Sequence, residues 1–110
     1  MENKLGGLLG IARRAGHTLV GFDAVRSALL NGHAQLVLLA SDCSEKTEKE
    51  LRFAGENGHC PIRNIPMDKA AVSAALGLQK PVAAVATDDR GFAAAMLRCC
   101  GTETKEDVAL

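Results

Sequence analysis

The spacing of apolar residues predicts an amphipathic helix close to the N-terminus. Four of them follow the i, i+3, i+4, i+7 pattern of a helix with one buried side: Leu5, Leu8, Leu9 and Ala12. The helix is predicted to end at two basic residues followed by Gly16, a combination typical of helix C-termini. Two continuous apolar runs, at residues 36–40 and 82–87, instead predict strands that are covered on both faces.

The stretch from residue 12 to residue 40 carries the most information. Residues 17–20 are β-prone and predict a short strand, and Gly21 permits a sharp turn from that strand into a second helix. Gly32 is predicted to end this helix. Three residues at i, i+3 and i+7 give it one apolar side: Phe22, Val25 and Leu29.

Capping residues predict where the remaining helices begin. Ser44 alone, or Asp42 together with Glu45, fits the start of a third helix that extends through Glu56. A strand over residues 60–65 follows. Asp68 fits the start of a fourth helix, which Gly77 closes, and either Asp88 or Asp89 fits the start of the last one.

The element order α-β-α-β-α-β-α-β-α predicts an α/β domain with helices on both faces of a small sheet. We expect residues 1–100 to form a single domain, because the chain is close to the commonest domain size. Residues 101–110 are polar and are predicted to form a frayed C-terminal tail.

The composition indicates an aliphatic core. Of 110 residues, 47% are hydrophobic and 3% aromatic, with no Trp or Tyr. Few aromatics argue against nucleic-acid binding by stacking platforms, which need aromatic side chains on the surface. The 13 basic and 13 acidic residues balance, which does not favour phosphate neutralisation. The first forty residues nevertheless hold four basic side chains against two acidic ones: Lys4, Arg13, Arg14 and Arg26 against Glu2 and Asp23.

Targeting signals and cysteine usage favour the cytoplasm. No basic region followed by a long apolar run begins the chain, so no signal peptide is expected. No apolar stretch approaches the ~20 residues needed to span a membrane. The four cysteines form no CxxC, and we expect reduced thiols, with one of Cys99 and Cys100 buried and the other exposed.

Motifs for catalysis or metal binding are missing from the sequence. GxSxG, HExxH and GxGxxG do not occur. Asp88 and Asp89 follow a predicted strand, where α/β active sites lie, but helix capping is the favoured interpretation. Metal ligation by a cysteine with His33 or His59 has no recognised spacing. No metal, no cofactor and no enzymatic activity are therefore expected.

The Gly21 turn has a functional and a structural interpretation. It exposes the backbone N–H groups and the positive end of a helix dipole, which suit an anion such as phosphate. Arg14, His17 and Arg26 could surround that end. Alternatively, Gly21 is only a turn glycine and the arginines are solvated, as holds for most such turns.

Four segments carry a family resemblance through their order and spacing. They are LGGLLGIARRAGHTLVGFDAV, AQLVLLASDCSEKT, ALGLQKPVAAVAT and DDRGFAAAML. Over roughly residues 5–98 the chain resembles the kink-turn RNA-binding ribosomal-protein superfamily of the L-seven-Ae and L-thirty-e type, in its bacterial YlxQ-like branch. The resemblance implies a three-layer α/β/α sandwich around a four-stranded mixed sheet.

The resemblance also implies where RNA binds. Family members use the N-terminus of the second helix, where the motif G-x-N-E-x-x-K reads tandem G·A pairs. A loop before the last strand packs apolar side chains on a flipped-out base. In this chain Gly21 matches the motif glycine, and Leu78 and Lys80 match the apolar and basic positions of the loop. Arg14 and His17 match basic positions of the bacterial branch.

Three motif positions depart from the family pattern. Asp23, Ala24 and Ser27 stand where the motif has Asn, Glu and Lys. An ionised Asp only accepts hydrogen bonds, Ala offers no polar group, and Ser is too short to replace Lys. Two lost bidentate contacts at about 1–3 kcal/mol each would remove roughly two to four decades of base discrimination.

These features predict an RNA-binding protein whose kink-turn specificity is weak or altered. Arg14, Arg26 and Lys80 would neutralise phosphates, Gly21 would admit the RNA backbone, and Leu78 would pack on a base. Ribosomal RNA and the ribosome are the expected partners, and neither DNA nor a membrane is expected. The alternatives are a protein–protein interaction module on the same fold or a small cytosolic enzyme with a site near Asp88, Asp89 or His17.

Overall fold

The computed structural model describes residues 4–56 and 58–108, with side chains through residue 100. Within this part of the chain, helices and strands alternate in the predicted order. None of the described helices has an apolar stretch long enough to cross a membrane. The elements are α1 (Lys4–Arg14), β1 (Thr18–Val20), α2 (Phe22–Leu30), β2 (Leu36–Leu39), α3 (Glu45–Ala54), β3 (Ile62–Asn64), α4 (Lys69–Leu76), β4 (Ala84–Thr87) and α5 (Arg90–Val108).

The four strands form one mixed sheet in the order β1-β4-β2-β3. β4 runs antiparallel to both of its neighbours, β1 and β2, whereas β2 and β3 are parallel. Three strands therefore end, and β4 begins, at the same edge of the sheet, which we call the carboxyl edge. The other edge, where β4 ends, is called the amino edge.

The core consists of two clusters, one on each face of the sheet. Successive residues of a strand point to opposite faces, so Leu36 and Leu38 of β2 join one cluster while Val37 and Leu39 join the other. The first cluster is completed by α1, α4 and α5, and the second by α2 and α3. This arrangement is the predicted α/β/α sandwich with a four-stranded mixed sheet.

Helix starts agree with the capping residues, and two helix ends differ from the prediction. Ser44 is the cap of α3, since its Oγ accepts a hydrogen bond from the Thr47 N–H at 3.1 Å. α3 ends at Ala54 and not at Glu56, because Gly55 acts as the C-cap. α5 continues to Val108, well into the segment predicted to fray. The division into a domain and a tail stays a prediction.

The segment between α4 and β4 is shaped by Gly77. Its φ of 77° is left-handed, which favours glycine, and it ends α4. The following Leu78 donates its N–H to the Ser73 carbonyl at 2.9 Å and packs, half-buried, on the first core cluster. The predicted strand over residues 82–87 begins only at Ala84, because the Val82 N–H bonds to the Lys69 carbonyl instead of a strand.

Candidate functional site

The N-terminus of α2 is open to solvent at the carboxyl edge. Gly21, the residue before the helix, has φ 96° and ψ 162°, a conformation nearly restricted to glycine. Apart from Gly21 itself and its two chain neighbours, no heavy atom of the described residues lies within 4 Å of the position that a Cβ would take on Gly21. The backbone N–H groups of the first turn have no partner inside the helix, so they are available to an anion that approaches here.

The other described helices that follow a strand have capped N-termini. Ser44 caps α3, and Asp68 caps α4 with a 2.8 Å bond from the Ala71 N–H. The Asp42 carboxylate also accepts from the Lys69 N–H at 2.8 Å. At α5, Asp89 accepts from the Phe92 N–H at 2.8 Å. Only glycine stands at the equivalent position of α2, and it has no side chain to cap with.

The strand pairing places the segment before β4 beside the open end of α2. The Gly21 N–H donates to the Ala84 carbonyl at 3.0 Å, so the start of β4 adjoins the start of α2. Lys80 is exposed in the segment that leads into β4, whereas Leu78 is half-buried against the core. Asp23, also exposed, lies in the first turn of α2. The carboxyl edge thus combines an uncapped helix N-terminus, an exposed carboxylate in the first turn of that helix and an exposed lysine in the segment that leads into β4.

A groove runs from the side of α2 towards the amino edge. Its volume is about 560 Å³, and its walls come from α2, from the turn that follows it, and from strand ends. Ser27 lines the groove, and its Oγ accepts from the Asn31 side-chain amide at 3.4 Å. The lining residues are Leu19, Ala24, Ser27, Ala28, Asn31, Gly32, His33, Gln35 and Asp88. Small and neutral polar side chains dominate this surface, and it has room for a larger group.

His17 lies at the amino edge, at the far end of β1 from Gly21. Its Nδ1 is 2.9 Å from Oδ1 of Asp88, and its ring centroid is 6.1 Å from that of Phe92. Both members of the pair are more than a third exposed, and such surface ion pairs contribute only about 0–1 kcal/mol. Asp88 also borders the groove, so His17 lies beside the part of the groove that reaches the amino edge.

The two arginines predicted to contact phosphate lie apart from each other. Arg14 is exposed near the end of α1, with Nη1 3.7 Å from the position that a Cβ would take on Gly10. Arg26 is exposed on the side of α2 that faces α3, where it shares a depression with Phe53. The predicted site residues therefore fall on three surfaces: the carboxyl edge with the groove, the end of α1, and the α2–α3 face.

The described residues show no arrangement typical of a metal or catalytic site. No group of three or more His, Cys, Asp or Glu side chains in this part of the chain is placed to hold a metal ion. Asp88 pairs with His17, and Asp89 caps α5. Burial raises the pKa of the Cys60 thiol, and burial followed by the Glu48 carboxylate raises that of Cys43, which disfavours their thiolate forms. Cys99 and Cys100 are both half-buried, so the expected buried–exposed split is wrong.

The family can now be identified by comparison with known proteins. A model of the ribosomal protein L7Ae/L30e/S12e/Gadd45 family matches residues 3–97. The chain belongs to this family. The match covers the whole sheet and the groove along α2, and it confirms the resemblance predicted from the sequence.

Similar proteins and structures agree with this membership. The RNA-binding protein YlxQ of Bacillus subtilis (strain 168) is 35% identical over 89 residues, which cover 78% of this chain and 84% of that protein. A solved protein of unknown function from Bacillus halodurans C is 30% identical, with a TM-score of 0.81 over 88% of this chain and 96% of that one. The Giardia lamblia 15.5kD RNA binding protein, 19% identical, has a TM-score of 0.71 over 89% of this chain and 88% of that one, which shows a shared fold.

The three positions that are predicted to depart from the family motif lie on the first two turns of α2. Ala24 and Ser27 both line the groove, and Asp23 stands in the exposed first turn. Long side chains on a helix lean towards its N-terminus, so a lysine at position 27 would extend towards Gly21. Ser27 is too short to do so and bonds Asn31 instead. Sequence reasoning missed Asn31, His33 and Gln35 as lining residues, because only the fold brings the turn after α2 beside β4.

Proposed function

We propose that this protein binds structured RNA through the open N-terminus of α2 and the groove beside that helix. The single observation that carries the proposal is the uncapped, unobstructed start of α2 at Gly21. Membership of the family supports it, and so does the similar B. subtilis protein, which is named as an RNA-binding protein. The expected partner is ribosomal RNA, on the ribosome or during its assembly in the cytoplasm.

Phosphate contact at the helix start is the main source of affinity in this proposal. A phosphate above Gly21 accepts hydrogen bonds from first-turn N–H groups and gains from the positive end of the helix dipole. Gly21 leaves room for the sugar-phosphate backbone to come close. Lys80 adds a cation from the segment before β4, and Leu78 offers an apolar contact to a base through its exposed part.

Base discrimination is expected to be weak or altered. The groove presents Ala24 and Ser27 where the family motif carries Glu and Lys, and the first turn of α2 presents Asp23 where the motif carries Asn. The remaining polar groups of the groove, mainly the Asn31 and Gln35 amides, lie nearer the amino edge. RNA is therefore held chiefly by its shape and its phosphates, with less preference for tandem G·A pairs than the motif provides.

A charge reversal at Lys80 tests this surface. Lys80→Glu should weaken binding to a kink-turn RNA and reduce the slope of log K against log salt by about one, as the loss of one phosphate contact requires. Arg63→Glu is the matched control, because β3 lies at the opposite side of the sheet from β1. Filter binding at several salt concentrations measures both the affinity and the slope of log K against log salt. Equal losses in the two variants would remove the carboxyl edge as the RNA site.

A further inference from the structure

Phe53 is an exposed aromatic residue on α3. Its side chain is 76% exposed, whereas Phe22 and Phe92 are half-buried against the two core clusters. Phe53 follows Leu51 by two residues, which turns it to the side of the helix away from that buried side chain. Packing in the core of the domain therefore does not account for a phenylalanine at position 53.

Two cations accompany Phe53 in a depression between α2 and α3. The depression has a volume of about 300 Å³ and is lined by Arg26, Lys49, Glu50 and Phe53. Within the part of the chain that the structure describes, neither Arg26 nor Lys49 is paired with a carboxylate. An aromatic face between unpaired cations matches the chemistry of a nucleotide, since every base has a face that stacks and every phosphate a negative charge.

We propose that this depression binds a single-stranded nucleotide adjoining the RNA that α2 holds. The base stacks on Phe53, and Arg26 and Lys49 neutralise the flanking phosphates. The inference rests on the proposed function, because the structured part of the same RNA supplies the anchor. It gives Arg26 a phosphate contact of its own, separate from the groove on the other side of α2.

The distance between the two surfaces suits one RNA. Arg26 follows Gly21 by five residues on the same helix, which corresponds to a rise of about 7.5 Å. A strand leaving the N-terminus of α2 therefore needs only a few nucleotides to reach Phe53. Glu50 is the unfavourable member of the lining, because its carboxylate repels a phosphate placed near Lys49.

The lining favours a nucleotide over a protein partner. An apolar protein contact would be expected to use several neighbouring apolar side chains, and the depression contains only Phe53. Leu30 is 56% exposed on α2 but does not line it. Leu30 therefore serves as a control position on the same helix pair.

The first experiment compares a structured RNA with and without a single-stranded extension of six adenines, placed in turn at either end. One of the extensions should tighten binding to the wild-type protein by about five-fold or more, the effect of stacking one base. Phe53→Ala should abolish this gain and leave binding to the unextended RNA unchanged, while Leu30→Ala should keep the gain. Glu50→Gln should increase it. No gain from either extension, with normal binding of the unextended RNA, would overturn this inference alone; no binding of any RNA would overturn the proposed function.

A fluorescent reporter detects the stacking directly. The chain has no Trp, so Phe53→Trp introduces a single tryptophan at an exposed position. Its fluorescence should be quenched when the extended RNA binds and not when the unextended RNA binds. Leu30→Trp should respond equally to both RNAs. An unquenched tryptophan at position 53, or a concentration-dependent dimer that Phe53→Ala abolishes, would show that the depression does not bind a base.

Discussion

α2 and α4 begin at the same edge of the sheet, but side chains cap the N-terminus of α4 and none caps that of α2. Two carboxylates satisfy the first turn of α4, with Asp68 accepting from Ala71 and Asp42 accepting from Lys69. At α2 the corresponding residue is Gly21, which leaves the first turn open. A side-chain cap stabilises a helix by about 0.5–2 kcal/mol relative to alanine, whereas glycine at the same position costs only about a few tenths of a kcal/mol. The missing side-chain cap at α2 leaves its first-turn N–H groups available to an external ligand, the role that we propose for RNA phosphate.

This difference in capping also favours an anion at the start of α2 over one at the start of α4. A phosphate near α4 would meet the carboxylates of Asp42 and Asp68, whereas one near α2 would meet uncapped N–H groups and, in our proposal, the Lys80 side chain of the segment before β4. The carboxylate of Asp23, in the first turn of α2, opposes it there. The two helix starts, although they lie at the same edge of the sheet, therefore differ in the charge that they present to an anion.

Restoring the family motif should produce the largest effect. In Asp23→Asn/Ala24→Glu/Ser27→Lys, the lysine extends towards Gly21 and the amide both donates to and accepts from a purine edge. We expect the preference for an intact kink-turn over one without its G·A pairs to rise by roughly two to four decades. Competition binding with the two RNAs measures this ratio.

The room available in the groove makes this gain possible without loss of stability. Ala24 and Ser27 line an open space of about 560 Å³, and so the longer side chains displace no core residue. An unchanged ratio in a triple variant that melts at the wild-type temperature would show that α2 does not face the RNA. The difference in capping between α2 and α4 would then be unrelated to RNA binding.

Removing the glycine should change RNA binding less than the triple variant does, and it should also destabilise the fold. Gly21→Ala forces a side chain into a conformation with φ 96°, at an expected cost of about 1–3 kcal/mol in the free energy of unfolding. It also places a methyl group where the RNA backbone approaches. Thermal unfolding should show the first effect, and RNA binding below the melting temperature the second.

Asp68→Ala is the matched control for Gly21→Ala. Loss of the α4 cap should lower the free energy of unfolding by about 0.5–2 kcal/mol. RNA affinity should not fall, because removing a carboxylate from the carboxyl edge does not obstruct α2. If Asp68→Ala weakened RNA binding as much as Gly21→Ala, global destabilisation would explain both results, and the contrast between the helices would fail.

Local signals in the sequence were enough to predict the order of the helices and strands and the residues that cap three of the helices. Ser44, Asp68 and Asp89 cap through bonds to residues three positions away, which is why their residue types and spacing predicted them. The exposure of Phe53 could also have been found, because it is off the buried stripe through Leu51. Its place beside Arg26 could not have been predicted, because Arg26 belongs to another helix and only the fold brings the two side chains together.

Strand pairing is the reason that the candidate site was only partly predictable. His17 contacts Asp88, 71 positions away, because β4 runs antiparallel to β1. The same pairing places Gly21 beside Ala84 and separates it from His17 by the length of β1. In the sequence His17 and Gly21 look like neighbours in one basic site. Only the sheet shows that they lie at opposite edges.

The most direct measurement is a titration of the wild-type protein against a kink-turn RNA and the same RNA with its G·A pairs replaced, at two salt concentrations. We expect similar affinities for the two RNAs, both decreasing steeply as salt increases, because phosphate contact at α2 dominates. Tight binding to the intact kink-turn alone would contradict the weakened base readout of Asp23, Ala24 and Ser27. Binding to neither RNA would contradict the assignment of the open helix start to RNA.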